Sequence, residues 1–335
     1  MEEVVHTVPS ASLDVFFMDD IEVFVRIFSW NIEGAIIPAS ADNYRVGGTM
    51  TRPEKETYQD AIQGVIDIAG QYAFADILLF QTVDTSSGRS FYINQHEMIA
   101  SVLPEHGHGF SLNNFSPFVA WPVFTPEGKI ESGISMFSKL PFENFSRVAL
   151  PQVYLPVYDP FTSTPCFQYA RFSLRNGTYL VVLNISNSIF EMHPQHRLTQ
   201  MLLIKSLMLD EYQRGNFVVA GGSWYLCPVG YKLAGFETGH KGSIFSSYMD
   251  KDFFPYGWQY AFDNQSPGYR WADTTYLNEQ SKVSIVDYFI VSPNVEIHNC
   301  KTLNQDFLHS NHNPLMLEIY IPLREELPEE VKEEE

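Results

Sequence analysis

The run Asn216-Phe217-Val218-Val219-Ala220 leads directly into Gly221-Gly222-Ser223-Trp224-Tyr225-Leu226-Cys227-Pro228, and the reading of the whole chain turns on this stretch. A short apolar run bounded by turn residues is the pattern of a buried strand. Two consecutive glycines then let the backbone turn sharply where the strand ends. In α/β proteins the loop beyond a central strand commonly carries chemistry, because the sheet holds it in place. Here the loop offers the hydroxyl of Ser223 and the phenol of Tyr225.

On the C-terminal side, residues 229–275 are rich in Gly, Phe, Tyr and Trp, most densely at Phe253-Phe254-Pro255-Tyr256-Gly257-Trp258-Gln259-Tyr260. These rings read first as packing of a long loop over the sheet, and second as a ligand platform or a protein-docking surface. Val283-Ser284-Ile285-Val286-Asp287-Tyr288-Phe289-Ile290-Val291-Ser292 is another strand. His309-Ser310-Asn311-His312-Asn313-Pro314 precedes a last strand, 315–321, expected to close the sheet.

On the N-terminal side, a helix over 197–209, with His193 and His196 near its start, separates the central strand from Tyr179-Leu180-Val181-Val182-Leu183-Asn184 and its continuation Ile185-Ser186-Asn187-Ser188. Glu131 to Lys139 reads as a strand, Trp121 to Ile130 as strand and turn, and Arg89 to Gln95 as the start or cap of a helix. The strand Ala75-Asp76-Ile77-Leu78-Leu79-Phe80-Gln81 ends in Thr82-Val83-Asp84. Spacing of Ile62, Val65, Ile66, Ile68 and Ala69 predicts a helix over 52–71 with Pro53 near its first turn. Residues 12–18 and 21–28 read as two strands around Asp19-Asp20, the second leading into Ser29-Trp30-Asn31-Ile32-Glu33-Gly34.

Bulk properties bound the function. The 335 residues are 45% hydrophobic, enough for a sizeable core, and the chain lacks the run of ~18 apolar residues that a membrane helix needs. Met1-Glu2-Glu3 opens without the basic and then apolar segments of a signal peptide, and Cys166, Cys227 and Cys300 lack metal-ligand spacing; a cytoplasmic protein with no cleaved leader and with reduced, buried thiols is expected. The net charge of −19 argues against a phosphate-backbone partner, since nucleic-acid binders concentrate Lys and Arg. Seven of the glutamates lie in the terminal segment from Arg324 to Glu335, which reads as a solvated, disordered tail.

Each motif is weak alone, but their order is specific. From Trp30-Asn31 through Phe80-Gln81, Ser132-Gly133, Asn184, Gly221-Gly222 and Asp287 to His312-Asn313-Pro314, the chain resembles the endonuclease/exonuclease/phosphatase (DNase I-like) superfamily of metal-dependent phosphodiesterases. It looks closest to the bacterial branch that carries Gly-Gly-Asp-Trp-Asn before a Cys-Pro turn. The resemblance spans roughly 25–321. It implies an α/β fold, a four-layer sandwich of two packed, mainly antiparallel sheets flanked by helices. The domain would cover 25–322, with 1–24 an N-terminal extension joining the sheet and 323–335 the tail.

The resemblance also implies where chemistry would sit. Asn31, Asp287 and His312 keep the family's residues. Thr82 stands where the family places the glutamate that is the principal metal ligand, and Ser186 where it has a histidine at the scissile phosphate. Ser223 and Asn311 each stand for an aspartate, and Tyr225 for an asparagine. A hydroxyl brings no charge to Mg²⁺, whose sites rest on carboxylates, and serine neither titrates near neutrality nor donates as a cation. Serine as a new nucleophile would need an adjacent base. With Asn311 beside it, His312 is expected to lack an electrostatic brace and a fixed tautomer. Asp84 would share the face of Thr82, roughly 6–7 Å further along an extended strand. It could serve a rebuilt metal site only together with Asp287.

The expectation is therefore a non-catalytic binding or scaffold module with no cofactor, and with a protein as the possible partner. The alternative is a weak or altered hydrolase using Mg²⁺ or Mn²⁺ on a nucleotide, a phosphoinositide or another phosphoester.

Overall fold

A computed structural model describes residues 5–6, 22–151, 165–187, 194–231, 248–277 and 281–322. The strand expected at 12–18 with its turn, the residue His193 and the acidic tail lie outside the described residues, as do 232–247 of the long aromatic segment.

Two sheets stack face to face. The first holds β1 (Val5–His6), β2 (Glu22–Asn31), β3 (Ile77–Asp84), β4 (Gly107–Val119), β5 (Gly128–Ser138), β14 (Glu296–Thr302) and β15 (Leu315–Pro322), in the order β1-β4-β5-β3-β2-β15-β14. The second holds β6 (Asn144–Ala149), β7 (Cys166–Ser173), β8 (Tyr179–Ser186), β9 (Phe217–Ser223), β10 (Gln259–Ala261) and β13 (Asp287–Val291), in the order β10-β13-β9-β8-β7-β6. A short pair, β11 (Tyr269–Arg270) and β12 (Val283–Ser284), stands apart. Most pairings are antiparallel, and each sheet contains one parallel pair at its centre: β2 with β3, and β8 with β9.

A parallel pair needs a long crossover, usually a helix. The chain supplies α1 (Lys55–Gln71) for the first pair and α3 (Pro194–Gln213) for the second. The buried residues of α1, among them Tyr58, Ile62, Val65 and Ala69, recur at helical spacing and pack with Ile99 of α2 (Gln95–Val102) on the outer face of the first sheet. Met201, Ile204 and Met208 of α3 cover the second sheet.

Strand alternation sorts the layers. Val25, Ile27, Ile77 and Leu79 meet Val182, Phe217 and Val219 between the sheets. Phe28, Trp30, Leu78 and Phe80 face α1 and α2, while Val218 and Ala220 face α3. The four expected layers are all present.

One strand goes unread in the sequence, one local expectation changes and one holds. The 13-residue strand β4 is broken in sequence by glycines and a proline, so period-two reading misses it; its pairing with β5 creates it. Leu315–Pro322 does not close its sheet, because β14 pairs on its far side. The aromatic stretch 253–260 is mostly packing: Phe254 and Trp258 are buried against the α3 layer, and Tyr256 alone among these rings is fully exposed. A more exposed apolar element sits elsewhere, at the end of β4 and in the turn joining it to β5, where Phe118, Trp121, Val123 and Phe124 face solvent.

Cys166 and Cys227 are buried and form no disulfide among the described residues, and Cys300 is half-buried. No helix of the described residues is long and apolar enough to cross a membrane.

Candidate functional site

The two parallel pairs end side by side, and their ends carry the family positions. In register, Asn31 lies opposite Gln81 and Ser186 opposite Ser223, while antiparallel β13 sets Asp287 against Ser223. The turn carrying His312 is tied to the end of β2: Ser310 Oγ donates to the Asn31 carbonyl (2.9 Å), and Trp30 Nε1 donates to the His312 carbonyl (2.9 Å). Asn31, Ser223, Tyr225, Asp287, Asn311 and His312 converge there, all buried.

Their polar groups are spent on one another. Ser223 Oγ donates to Asp287 Oδ1 at 2.5 Å, and His312 Nδ1 meets Asp287 Oδ2 at 2.6 Å. A carboxylate only accepts, so Nδ1 is the donor in this pair. Asn31 Nδ2 lies 3.3 Å from that Nε2 and also within 3.1–3.2 Å of Ser223 Oγ, Tyr225 OH and Glu33 Oε1. The Tyr225 hydroxyl donates to Glu33 Oε1 at 2.7 Å, and Tyr269 packs at a tilt against the His312 ring with centroids 4.6 Å apart. Burial, and next the Glu33 carboxylate, pushes both the Tyr225 and Tyr269 phenols well above the ordinary tyrosine range, so both remain neutral.

This geometry corrects one expectation. His312 does have an electrostatic brace and a fixed tautomer, supplied by Asp287 rather than by position 311. Asn311 is buried beside it with its Oδ1 lacking a partner among the described residues, and its carbonyl accepts from the Arg270 amide (2.9 Å). A neutral amide there costs less to bury than an unpaired carboxylate would.

The end of β3 is rearranged. One extra residue between the Phe80 and Val83 pairings makes a bulge, in which Thr82 adopts φ 52°. Phe80 and Val83, three residues apart, consequently both face the helical layer. Thr82 and Asp84 are therefore not the same-face pair of an unbroken strand. A β-branched residue with positive φ is an outlier, costing on the order of 1–3 kcal/mol. Asp84 is wholly buried and held in a two-pronged ion pair by Arg89, with Nε to Oδ2 at 3.0 Å and Nη2 to Oδ1 at 2.9 Å.

Asn184 does not reach the cluster. It lies between the sheets, accepting from Gln81 Nε2 (2.8 Å) and donating to Gln168 Oε1 (3.0 Å) and the Ser135 carbonyl (3.0 Å). Ser186 is half-buried at the end of β8; among the described residues its hydroxyl has no side-chain base in hydrogen-bond contact.

Sequence reading passed over two participants. Glu33 follows Asn31 by two residues, but Glu33, Gly34 and Ala35 form a left-handed turn with φ 45°, 61° and 56°. That turn folds the carboxylate back over the cluster; the Gly at 34 is its one sequence signal. Arg89 lies five residues past Asp84 in a glycine-initiated turn, Gly88–Ser90, and nothing in sequence pairs the two.

Among the described residues, no group of three or more His, Cys, Asp and Glu side chains is placed to hold a metal ion. Asp287 offers both oxygens to internal donors and Asp84 both to Arg89, while Thr82 and Asn311 are uncharged. The donor set does not fit the divalent cation that the resemblance implies.

No family model matches the chain, and no curated protein matches it. Among solved structures it is similar to an endonuclease/exonuclease/phosphatase from Beutenbergia cavernae, at TM-score 0.59 and 14% identity over 89% of this chain and 72% of that one. It is also similar to the endonuclease/exonuclease/phosphatase from Bacteroides vulgatus (TM-score 0.53, 15% identity, 89% and 98% covered). ANGEL2, a 2′,3′-cyclic phosphatase, matches at TM-score 0.57 and 10% identity over 96% of this chain and 98% of that one. These likenesses, all at 15% identity or below, show that the chain adopts the fold of these endonuclease/exonuclease/phosphatase proteins.

Proposed function

We propose that this chain is a non-catalytic relative of the bacterial endonuclease/exonuclease/phosphatase proteins and acts as a binding or scaffold module. The observation that carries the reading is the closed network at the site. Ser223, Tyr225, Asp287, His312, Asn31 and Glu33 satisfy one another, and the space around His312 is taken by Tyr225 and Tyr269. Metal-assisted hydrolysis needs a cation on carboxylates and open positions for phosphate and water, and buried groups already paired internally offer neither.

The test is turnover of a chromogenic phosphodiester by the purified protein with Mg²⁺ or Mn²⁺. The expected rate equals that of an Asn31→Ala/His312→Ala control. Metal-dependent turnover that the control lacks would overturn the reading.

One observation favours a second reading, an altered hydrolase on a phosphoester. The Asp287–His312 pair keeps the geometry of an oriented base, with Nε2 facing Asn31. It requires Tyr225 to swing away, so Tyr225→Asn should then raise turnover; no gain would remove this alternative.

A further inference from the structure

The ion pair at the end of β3 lies within a larger buried cluster. Arg89 also approaches Ser132 Oγ (3.4 Å). Beside it, Arg45 Nε donates to Glu127 Oε1 at 2.7 Å while its Nη2 engages Oε2, and Tyr44 OH donates to Oε1 (2.9 Å). Glu127 and Asp84 are both buried carboxylates. Burial opposes the Arg89 charge, but Asp84, Glu127 and Glu33 together outweigh it and hold the guanidinium well above its ordinary range. Three separate segments meet at Asp84. The Glu33–Ala35 turn brings Gly34 so close that a Cβ there would sit 2.9 Å from Asp84 Oδ2. Gln95, opening α2, accepts from the Asp84 amide (2.7 Å) and donates to the Gly34 carbonyl (2.6 Å). Arg89 itself comes from the turn between β3 and α2.

We propose that Arg89 is a built-in cation: its guanidinium neutralises the β3-end carboxylate on which the surrounding turns converge and ties it to Ser132 of β5, so that this end of the site holds its structure without a divalent metal. The inference rests on the mismatch between the donor set and a metal, and it deepens the non-catalytic reading. A planar guanidinium suits the task, since its fork matches both carboxylate oxygens and stays charged when buried. Removing it would strand a buried carboxylate, which is strongly unfavourable; a divalent cation is one species that could then relieve it.

The experiment is thermal unfolding and calorimetric titration with Mg²⁺ and Mn²⁺ alone, on the wild type, Arg89→Met, Arg89→Lys, Asp84→Asn and Arg89→Met/Asp84→Asn. The wild type should melt at the same temperature in chelator and in excess metal. Arg89→Met should melt roughly 5–15 °C lower and recover part of the loss when metal is added. The double variant, with neither charge, should be more stable than Arg89→Met and indifferent to metal, and Arg89→Lys should stay metal-independent. A wild-type midpoint raised by metal and insensitive after Asp84→Asn would overturn the proposal. So would a folded Arg89→Met that ignores metal, or a double variant that responds to metal as Arg89→Met does. If Arg89→Met is unfolded in chelator, failure of metal to restore it while the double variant folds is equally fatal. The phosphodiester assay run in parallel separates the two claims: turnover in chelator would sink the non-catalytic reading and leave the role of Arg89 standing.

Discussion

The first sheet reaches the site through β2–α1–β3 and the second through β8–α3–β9, and the two crossovers end in different chemistry. At the first end charge persists: Asp84 and Glu127 are buried and each is matched by an arginine. At the second end the strand termini carry the hydroxyls of Ser186 and Ser223, and the neighbouring Asp287 is satisfied by Ser223 and His312. A buried carboxylate without a partner is costly, and the two ends avoid that cost by different routes, one by supplying an arginine and the other by supplying a serine hydroxyl and a histidine ring. The backbone differs too. The first end concentrates left-handed residues at Glu33, Gly34, Ala35 and Thr82, whereas the second places them at Gly222 and Tyr225.

Glycine substitutions break the comparison most directly. A Cβ at Gly222, where φ is 132°, would lie 2.0 Å from the Ile185 carbonyl oxygen of the paired strand. Neither backbone can yield without breaking the parallel ladder, so Gly222→Ala should cost about 4 kcal/mol or more, read by chemical denaturation or as loss of soluble protein. At the other end Gly34→Ala meets a side-chain oxygen and a φ of 61°. Its cost should be about 2 kcal/mol, and equal losses at both sites would erase the proposed contrast.

A pH series sharpens it at the next level. Unfolded tyrosines ionise near pH 10, whereas burial raises Tyr225 and Tyr269 well beyond that and Tyr58 to about 12. Above pH 10 the unfolded chain therefore binds fewer protons than the folded one. The stability these groups contribute is complete below pH 10 and falls as pH rises toward their folded pKa values. Melting temperatures from pH 8 to 11 should decline on this schedule, and Tyr225→Phe should make the decline shallower. An unchanged slope would mean Tyr225 is not sealed in the second end as described.

The smallest effect belongs to the β4–β5 turn. Phe124 is 96% exposed, so Phe124→Ser should change stability by less than about 0.5 kcal/mol. A larger loss of melting temperature would show that this ring packs in solution.

The frame was readable from residue order. Phe217 to Ala220, Asp287 to Val291 and the α1 spacing fix strands and helix because local periodicity reflects which face is buried. The single strand read from Val283 to Ser292, by contrast, is split into β12, which pairs with β11, and β13. The converging positions Asn31, Ser223, Tyr225, Asp287 and His312 could likewise be named from motif order alone. Tertiary structure decided which of those groups hold each other. It gave His312 to Asp287 instead of leaving it unbraced, folded Glu33 onto Tyr225 through a left-handed turn, and used a one-residue bulge to hand Asp84 to Arg89. Periodicity is a property of neighbours along the chain, whereas a hydrogen-bond partner is chosen by which strand ends meet in space, often hundreds of residues apart.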